Sequence, residues 1–334
     1  MGKKNLDKYS FEIGPIRPPS EGGSRSLLIR PTRNCSWNRC AFCPFYDGKE
    51  FQIREVEEVK RDIDSVKKIK ELLSEGSEEV SKVPHHCLSV VSGWMKTGEK
   101  TVFLQDSNSL IMPTDELVEI LEYLMKSFPS IERITSYARS DTIVRKKLSE
   151  LERIRKSGLT RLHVGLESGD DEVLKLVSKG ATAEQHIEGG KKAKEAGFEL
   201  SEYVMPGLGG KELYKQHALN TAKVLNQIDP DYIRMRPLYV YPGSDIYKMI
   251  EQGEIQVNSP HERLEEIKIM VEELDVNSKL CFDHSWNSWR DKKGGLLFDM
   301  DYEGYQLPDE KSKVLKLVEE GLEVDGSRHN DSLF

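Results

Sequence analysis

Six short apolar runs recur along this 334-residue chain, the first five each followed by a stretch with helical spacing, and that alternation limits the fold more than any other feature. Ser26 to Arg30 (SLLIR) precedes Phe51 to Leu73. Thr101 to Leu104 (TVFL) precedes LVEILEYLMKSF, which Thr114, Asp115 and Glu116 introduce with an N-terminal helix signal. Ile131 to Ser136 with Leu148 to Lys156, Arg161 to Leu166 with Asp171 to Ala196, and Phe198 to Val204 with Gln216 to Gln227 continue the series, and Tyr232 to Tyr239 is a sixth strand. Strands alternating with helices imply a parallel sheet with right-handed crossovers. Six units fall short of a closed eightfold ring, so the expected class is α/β, a partial (β/α)6 TIM-type barrel with a C-terminal helical extension. Its chemistry belongs at the carboxyl ends of the strands. We expect an N-terminal extension over residues 1–23, the barrel over 24–255, and a helical extension closing the barrel over 256–334, the last ten residues reading as disordered. His85 to Lys100 is too apolar for an idle linker and is expected to pack on the barrel or lid its mouth.

Composition narrows the partners. Forty-nine basic against fifty-seven acidic residues give a net charge of −8, with no basic stripe, so general nucleic-acid binding is not expected, although one tRNA-sized substrate is not excluded. No apolar run suffices for a membrane span, and the N-terminus lacks the apolar core of a secretion signal; a soluble, cytoplasmic protein is expected. Five cysteines, three of them between positions 35 and 43, argue for metal ligation in a reducing compartment and against a disulfide framework.

Cys35, Cys40 and Cys43 stand as C-x4-C-x2-C in NCSWNRCAFC, in the loop after the first strand. Three thiolates on one compact loop can hold three irons of a 4Fe-4S cube and leave the fourth iron without a protein ligand, an open and therefore reactive position. The other reading is a zinc site completed by Cys87, His85 or His86, in a non-catalytic binding protein.

The triad, with aromatic Phe42 before its last cysteine and its place at the end of the first strand of a six-unit β/α chain, resembles the signature of the radical S-adenosylmethionine (radical SAM) superfamily. The usual spacing there is C-x3-C-x2-C, so this loop carries one extra residue. The likeness runs over residues 24–245, and GLESGDDEVLKLVSKG is similar to the group of coproporphyrinogen-dehydrogenase-like, elongator-like and methylthiotransferase-like enzymes. The resemblance implies an oxygen-sensitive enzyme with a 4Fe-4S cluster and S-adenosylmethionine (SAM) as cofactors. SAM is cleaved to a 5′-deoxyadenosyl radical, which takes hydrogen from a small or medium-sized substrate, with electrons from a flavodoxin- or ferredoxin-type donor. It also implies site residues. Phe42 lies against adenine; Gln105, Asp106 and Ser107 replace the usual Gly-Gly-Glu element, with Asp106 accepting from the SAM ammonium; Glu167 and Ser168 meet the ribose hydroxyls; Leu238, Tyr239 and Val240 run along the adenine edge.

Several residues carry rival readings. Glu167, Ser168 and Gly169 could cap the helix DEVLKLV, and Arg139 with Ser140 could either bind the SAM carboxylate or cap the helix after the third strand. Arg234 and Arg236 alternate and so share a face; turned inward they make a cationic patch for an acidic substrate and favour a coproporphyrinogen-dehydrogenase-like decarboxylation. Of Glu202 and Tyr203, one faces in and one out. His163 reads as a core histidine, and Cys87 and Cys281 as buried thiols. Asp283 and His284, with Asn287, in FDHSWNSW are candidates for an acid/base pair or a packing motif. Too few cysteines remain for a second cluster, and neither a cobalamin-binding nor an RNA-binding domain is expected beside the barrel.

Overall fold

The computed structural model describes residues 8–18 and 25–329. Strand β1 (Leu27–Ile29) leads into a small hairpin, β2 (Thr32–Arg33) and β3 (Gln52–Ile53), whose antiparallel strands clamp the two ends of the cysteine loop. Helices α1 (Val56–Glu75) and α2 (His85–Lys96) follow. The series then runs β4 (Thr101–Leu104), α3 (Thr114–Ser127), β5 (Arg133–Ala138), α4 (Ser140–Arg145), α5 (Leu148–Lys156), β6 (Leu159–Glu167), α6 (Asp171–Leu176), α7 (Ala183–Glu195), β7 (Glu199–Val204), α8 (Gly210–Ile228), β8 (Tyr232–Met235) and α9 (Asp245–Glu251). Strands β1, β4, β5, β6, β7 and β8 pair in that order, all parallel, as the alternation predicts.

The C-terminal extension supplies helices α10 (Pro260–Glu273) and α11 (Lys311–Leu322), and also two strands that the sequence pattern did not reveal. β9 (Lys279–Cys281) adds to β8 in parallel and β10 (Tyr305–Gln306) pairs with β9 antiparallel. The extension thereby lengthens an open sheet whose end strands are β1 and β10; it does not join the two edges. Residues 330–334 lie outside the described residues. Residues 325–329, expected to be disordered, form a short helical turn over Gly326–Arg328 that ends on buried His329, with Nε2 facing the Gly321 carbonyl at 3.0 Å.

One further expectation changes, and of two open roles for His85 to Lys100 the packing one is found. Asp171 to Ala196 is two helices, because Ser178 (φ 53°) and Gly180 (φ 70°) turn the chain left-handed and the Thr182–Gln185 capping box starts a new helix. The turn is pressed onto the cysteine loop: a Cβ at Gly180 would sit 2.3 Å from the Trp37 ring, and Trp37 Nε1 donates to the Ser178 carbonyl at 2.7 Å. Helix α2 packs behind the sheet and does not lid the mouth, burying Cys87, Val91 and Trp94 beside α1 and β1. Of the N-terminal extension, Tyr9 and Phe11 join the main core; residues 1–7 and 19–24 lie outside the described residues.

Pairing register sorts the sheet into two faces. Leu27, Ile29, Val102, Leu104, Ile134, Leu162, Val164, Leu200, Val204, Ile233 and Leu280 face the helices and are almost wholly buried. Phe103, Tyr137, His163, Tyr203, Arg161 and Arg234 share the inner face, where the rings of Tyr137, His163 and Tyr203 lie about 6 Å apart. Tyr203 therefore faces in and Glu202 out. At the amino end the interior is filled. Arg161 Nε meets Glu199 Oε2 at 2.6 Å and pairs with the Tyr302 hydroxyl, while Arg234 Nη1 meets Asp283 Oδ2 at 2.8 Å.

Candidate functional site

The carboxyl ends of the strands present the cysteines. Hairpin β2–β3 fixes the feet of the loop, Ala41 N–H donates to the Val177 carbonyl and Ile246 N–H to the Ala41 carbonyl, each at 2.9 Å, and Cys43 N–H closes a turn onto the Cys40 carbonyl at 3.0 Å. Phe42 is buried in a small cluster with Val177, Met205, Leu208, Leu238 and Val240. All three thiols are half-buried and within electrostatic reach of one another. Burial pushes the Cys43 thiol up to about 12 and raises Cys40 as well, while the charges of Lys179 and Arg139 favour the Cys40 thiolate. Thiols made reluctant to ionise by burial, beside cations that favour thiolate, are a donor set that metal binding completes.

These residues fit an iron-sulfur cube better than zinc. Among the described residues no three His, Cys, Asp or Glu side chains gather closely enough to hold a single ion, and a cube asks for no such arrangement because its cysteines bind separate irons. The suggested fourth zinc ligands are elsewhere: Cys87 is buried with its thiol on the Phe11 carbonyl at 3.5 Å, and His85 and His86 are exposed at the start of α2.

Behind the loop lies a chain of charges that sequence reasoning saw only in part. Asp106, fully buried at the end of β4, accepts from Arg30 Nη2 at 2.6 Å and from the Asn34 N–H at 2.9 Å; Arg30 Nη1 also meets Glu12 Oε1 at 2.6 Å. Its other oxygen, Oδ1, is buried without a hydrogen bond. Burial, then the Asp106 charge, raise the pKa of nearby Tyr46. Oδ1 is the Asp106 oxygen not taken by Arg30, and it lies close to Gly14 with Tyr46 nearby.

At the end of β6, Glu167 adopts φ 62° and lays its carboxylate over Gly165, where a Cβ would stand 2.3 Å from Oε1. Lys179 Nζ meets Oε1 at 3.1 Å. The Glu167 carbonyl accepts from Met205 N–H at 3.0 Å and faces His217 Nε2 at 3.2 Å, and His217 Nδ1 meets Glu266 Oε1 at 2.5 Å. Burial lowers the His217 pKa but the Glu266 carboxylate and its hydrogen bond more than offset it, leaving it raised. A helix of the extension therefore braces the turn that aims Glu167. Lys179 lies in the run quoted for the family likeness and could have been found there; His217 and Glu266 carried no signal.

Other residues expected at the cofactor have partners within the chain. Gln105 is spent on the N-terminal segment, accepting from Gly14 N–H at 3.0 Å and donating to the Ile16 carbonyl at 2.5 Å. Ser107 donates to the Asn34 carbonyl at 3.2 Å and so tethers the loop. Ser140 is buried on α4 with its hydroxyl 2.6 Å from His186 Nδ1, away from the mouth. Ser168 is buried and accepts from Asp170 N–H at 3.0 Å, and the cap of α6 is Asp170, one residue beyond the Glu167–Gly169 run that the sequence offered. Arg139 precedes α4, but its side chain reaches the Lys179 and Gly180 carbonyls at 3.1 Å and lies over the Trp37 ring. The Leu238 N–H is taken by the Pro206 carbonyl at 2.9 Å, and Tyr239 stacks on Trp286 at 4.8 Å.

The two acid/base candidates part company. Asp283 is tied to Arg234 inside the barrel. His284 packs edge-on against Trp286 at 4.5 Å, and burial with the neighbouring Arg236 charge lowers its pKa to about 4, so it is neutral at pH 7. An open cleft of about 660 Å³ lies beside the loop, lined by Trp37, Arg39, Lys175 and Gln185 among others, and includes none of the cysteines.

Comparison with known proteins follows the same lines. A tRNA uridine(34) acetyltransferase of Methanocaldococcus infernus is 29% identical over 124 residues, 35% of this chain and 22% of that protein. Elongator complex protein 3 of Homo sapiens is 21% identical over 271 residues, 75% of this chain and 49% of that protein, so the chain spans half or less of these relatives' length. Among solved structures, coproporphyrinogen III oxidase (HemN) from Escherichia coli superposes with a TM-score of 0.49 at 16% identity, covering 74% of this chain and 51% of that one. No helix among the described residues is long and apolar enough to cross a membrane. The sequence profile of the Radical SAM superfamily, whose enzymes use a 4Fe-4S cluster and SAM, matches residues 29–215, more than half of the chain, and the chain belongs to that superfamily.

Proposed function

We propose that Cys35, Cys40 and Cys43 hold the cluster and that the enzyme abstracts hydrogen from a small or medium-sized substrate at the mouth of the barrel. The observation that carries this reading is the convergence of three half-buried thiols, with Lys179 and Arg139 beside them, at the carboxyl end of β1. When bound, the cluster supplies reductive cleavage of SAM to methionine and a 5′-deoxyadenosyl radical. The chain's own residues orient the cofactor and exclude water. Phe42, Leu238 and Val240 offer an apolar wall for adenine, Glu167 accepts from the ribose hydroxyls while Lys179 holds it in place, and Asp106 Oδ1 accepts from the methionyl ammonium. In this reading residues 24–255 are the catalytic unit and 256–334 brace it. A flavodoxin- or ferredoxin-type donor delivers electrons, and the enzyme works in the cytoplasm.

The expectation against nucleic acid rested on net charge and on the lack of a basic stripe in the sequence. Two of the relatives compared carry tRNA or Elongator in their names, so a tRNA-sized substrate stays within the proposal and the exclusion is dropped. The decarboxylase alternative loses part of its support, because Arg234, though inward, is already neutralised by Asp283. Anaerobic reconstitution with iron and sulfide, reduction with dithionite and chromatography should yield 5′-deoxyadenosine and methionine. An intact cluster that never cleaves SAM would overturn the reading.

A further inference from the structure

Five largely shielded arginines of this barrel each face a carboxylate. Arg30 has Asp106 and Glu12, Arg54 has Asp62, Arg139 has Asp141, Arg161 has Glu199 and Arg234 has Asp283, all at 2.6–2.9 Å. Arg236, two residues beyond Arg234 on the same inward face, has no carboxylate partner among the described residues. Glu167 lies within electrostatic reach of it, but that carboxylate is engaged by Lys179. A cation facing inward without a counter-ion is costly, and the cost is offset only by whatever it is there to meet.

Its surroundings are aromatic. The guanidinium lies over the Trp286 ring at 5.2 Å from the centroid. Trp286 stacks on Tyr239 at 4.8 Å with the planes 13° apart, and Tyr241 stands edge-on to both and within reach of the Cys43 charge. Neutral His284 closes the far side of Trp286 and supplies no compensating charge. A flat, permanently charged fork held on an indole face suits an oxyanion that accepts two parallel hydrogen bonds, and the rings suit the planar body attached to it.

Building on the radical SAM reading, we propose that Arg236 is the receptor for an anionic group, carboxylate or phosphate, on a planar unsaturated substrate that rests against Trp286, Tyr239 and Tyr241. Placed between Glu167 and the extension, the receptor sets which substrates are brought to the cofactor. The extension is thereby part of substrate recognition as well as of the fold.

Calorimetric titration of the cluster-loaded enzyme with two probe pairs tests this. Uridine 5′-monophosphate against uridine isolates the phosphate, and indole-3-acetate against indole-3-ethanol isolates the carboxylate. At least one acid should bind tenfold or more tightly than its neutral partner, and the pair that shows it names the anion. Arg236→Gln should abolish the preference while leaving SAM affinity unchanged. Should that variant not fold, Arg236→Lys decides: loss of the fork should weaken the acid alone, by three- to tenfold. Equal binding of acid and neutral probe in both pairs, a preference that survives Arg236→Gln, or a matching loss of SAM affinity would each overturn the proposal. Deoxyadenosine formation without probe is measured in parallel, so that a failed receptor and a failed radical chemistry read differently.

Discussion

At the floor of the barrel, Arg161 and Arg234 are each matched by a carboxylate and wrapped by Tyr232 and Tyr302; at the mouth, Arg236 lies against rings, Asp106 Oδ1 is not taken by Arg30, and three thiols stand within electrostatic reach of one another. The same residue types serve opposite ends. Where every charge is answered within the chain, the interior is a plug that holds strands together; where charges are left over, the chain is arranged to meet something that is not protein. The difference separates structure from chemistry on one sheet face a few residues long.

That contrast is open to direct attack. Replacing Cys35, Cys40 or Cys43 by serine should cut deoxyadenosine formation by roughly three orders of magnitude with the circular dichroism spectrum unchanged, because backbone bonds and the Trp37 and Asn38 side chains hold the loop and a serine hydroxyl can replace the thiol as acceptor. A Cys→Ser variant that retains its iron and turnover would erase the distinction between mouth and floor. On the floor, Arg234→Met removes the guanidinium that the buried Asp283 faces and should cost about 3–5 kcal/mol in urea denaturation, while Arg234→Met with Asp283→Leu should recover most of that loss. Equal losses in the single and double variants would show that the pair is not a compensated plug.

The His217–Glu266 brace gives a pH signature. The folded pKa of His217 is raised, so the native state holds its proton longer than the unfolded chain. The associated stability is complete below the unfolded value of about 6.5 and is lost as pH climbs through the folded value, at no more than about 1.4 kcal/mol per pH unit. Denaturation midpoints across pH 6 to 9 should show this slope in the native chain and not in His217→Gln. Smallest of the four, Lys179→Met should weaken SAM binding roughly tenfold by freeing Glu167, with little change in melting temperature.

Much of this was legible beforehand because it is periodic or compact. The six parallel strands follow from apolar runs at regular intervals, and the triad announces itself by spacing. Strand β9 was missed because three residues, KLC, carry too little pattern to distinguish from a loop. Glu167 and Ser168, adjacent in sequence, looked alike as ligands; the left-handed turn at Glu167 lays its carboxylate toward Lys179, while the Ser168 hydroxyl is buried on the Asp170 N–H. Asp283 looked free until the fold brought Arg234 across from another strand. Long-range pairing decides which polar residues are already satisfied, and that is what a linear reading lacks.

The stretch from Tyr9 to Ile16 has a practical bearing on handling the protein. Glu12 grips Arg30, Arg30 grips Asp106, and Asp106 holds the amide of Asn34, the residue immediately before Cys35. A protease cut, or a purification tag spliced in downstream of Tyr9, would slacken that rope from its free end. Preparations trimmed there should bind iron poorly even with every cysteine in place.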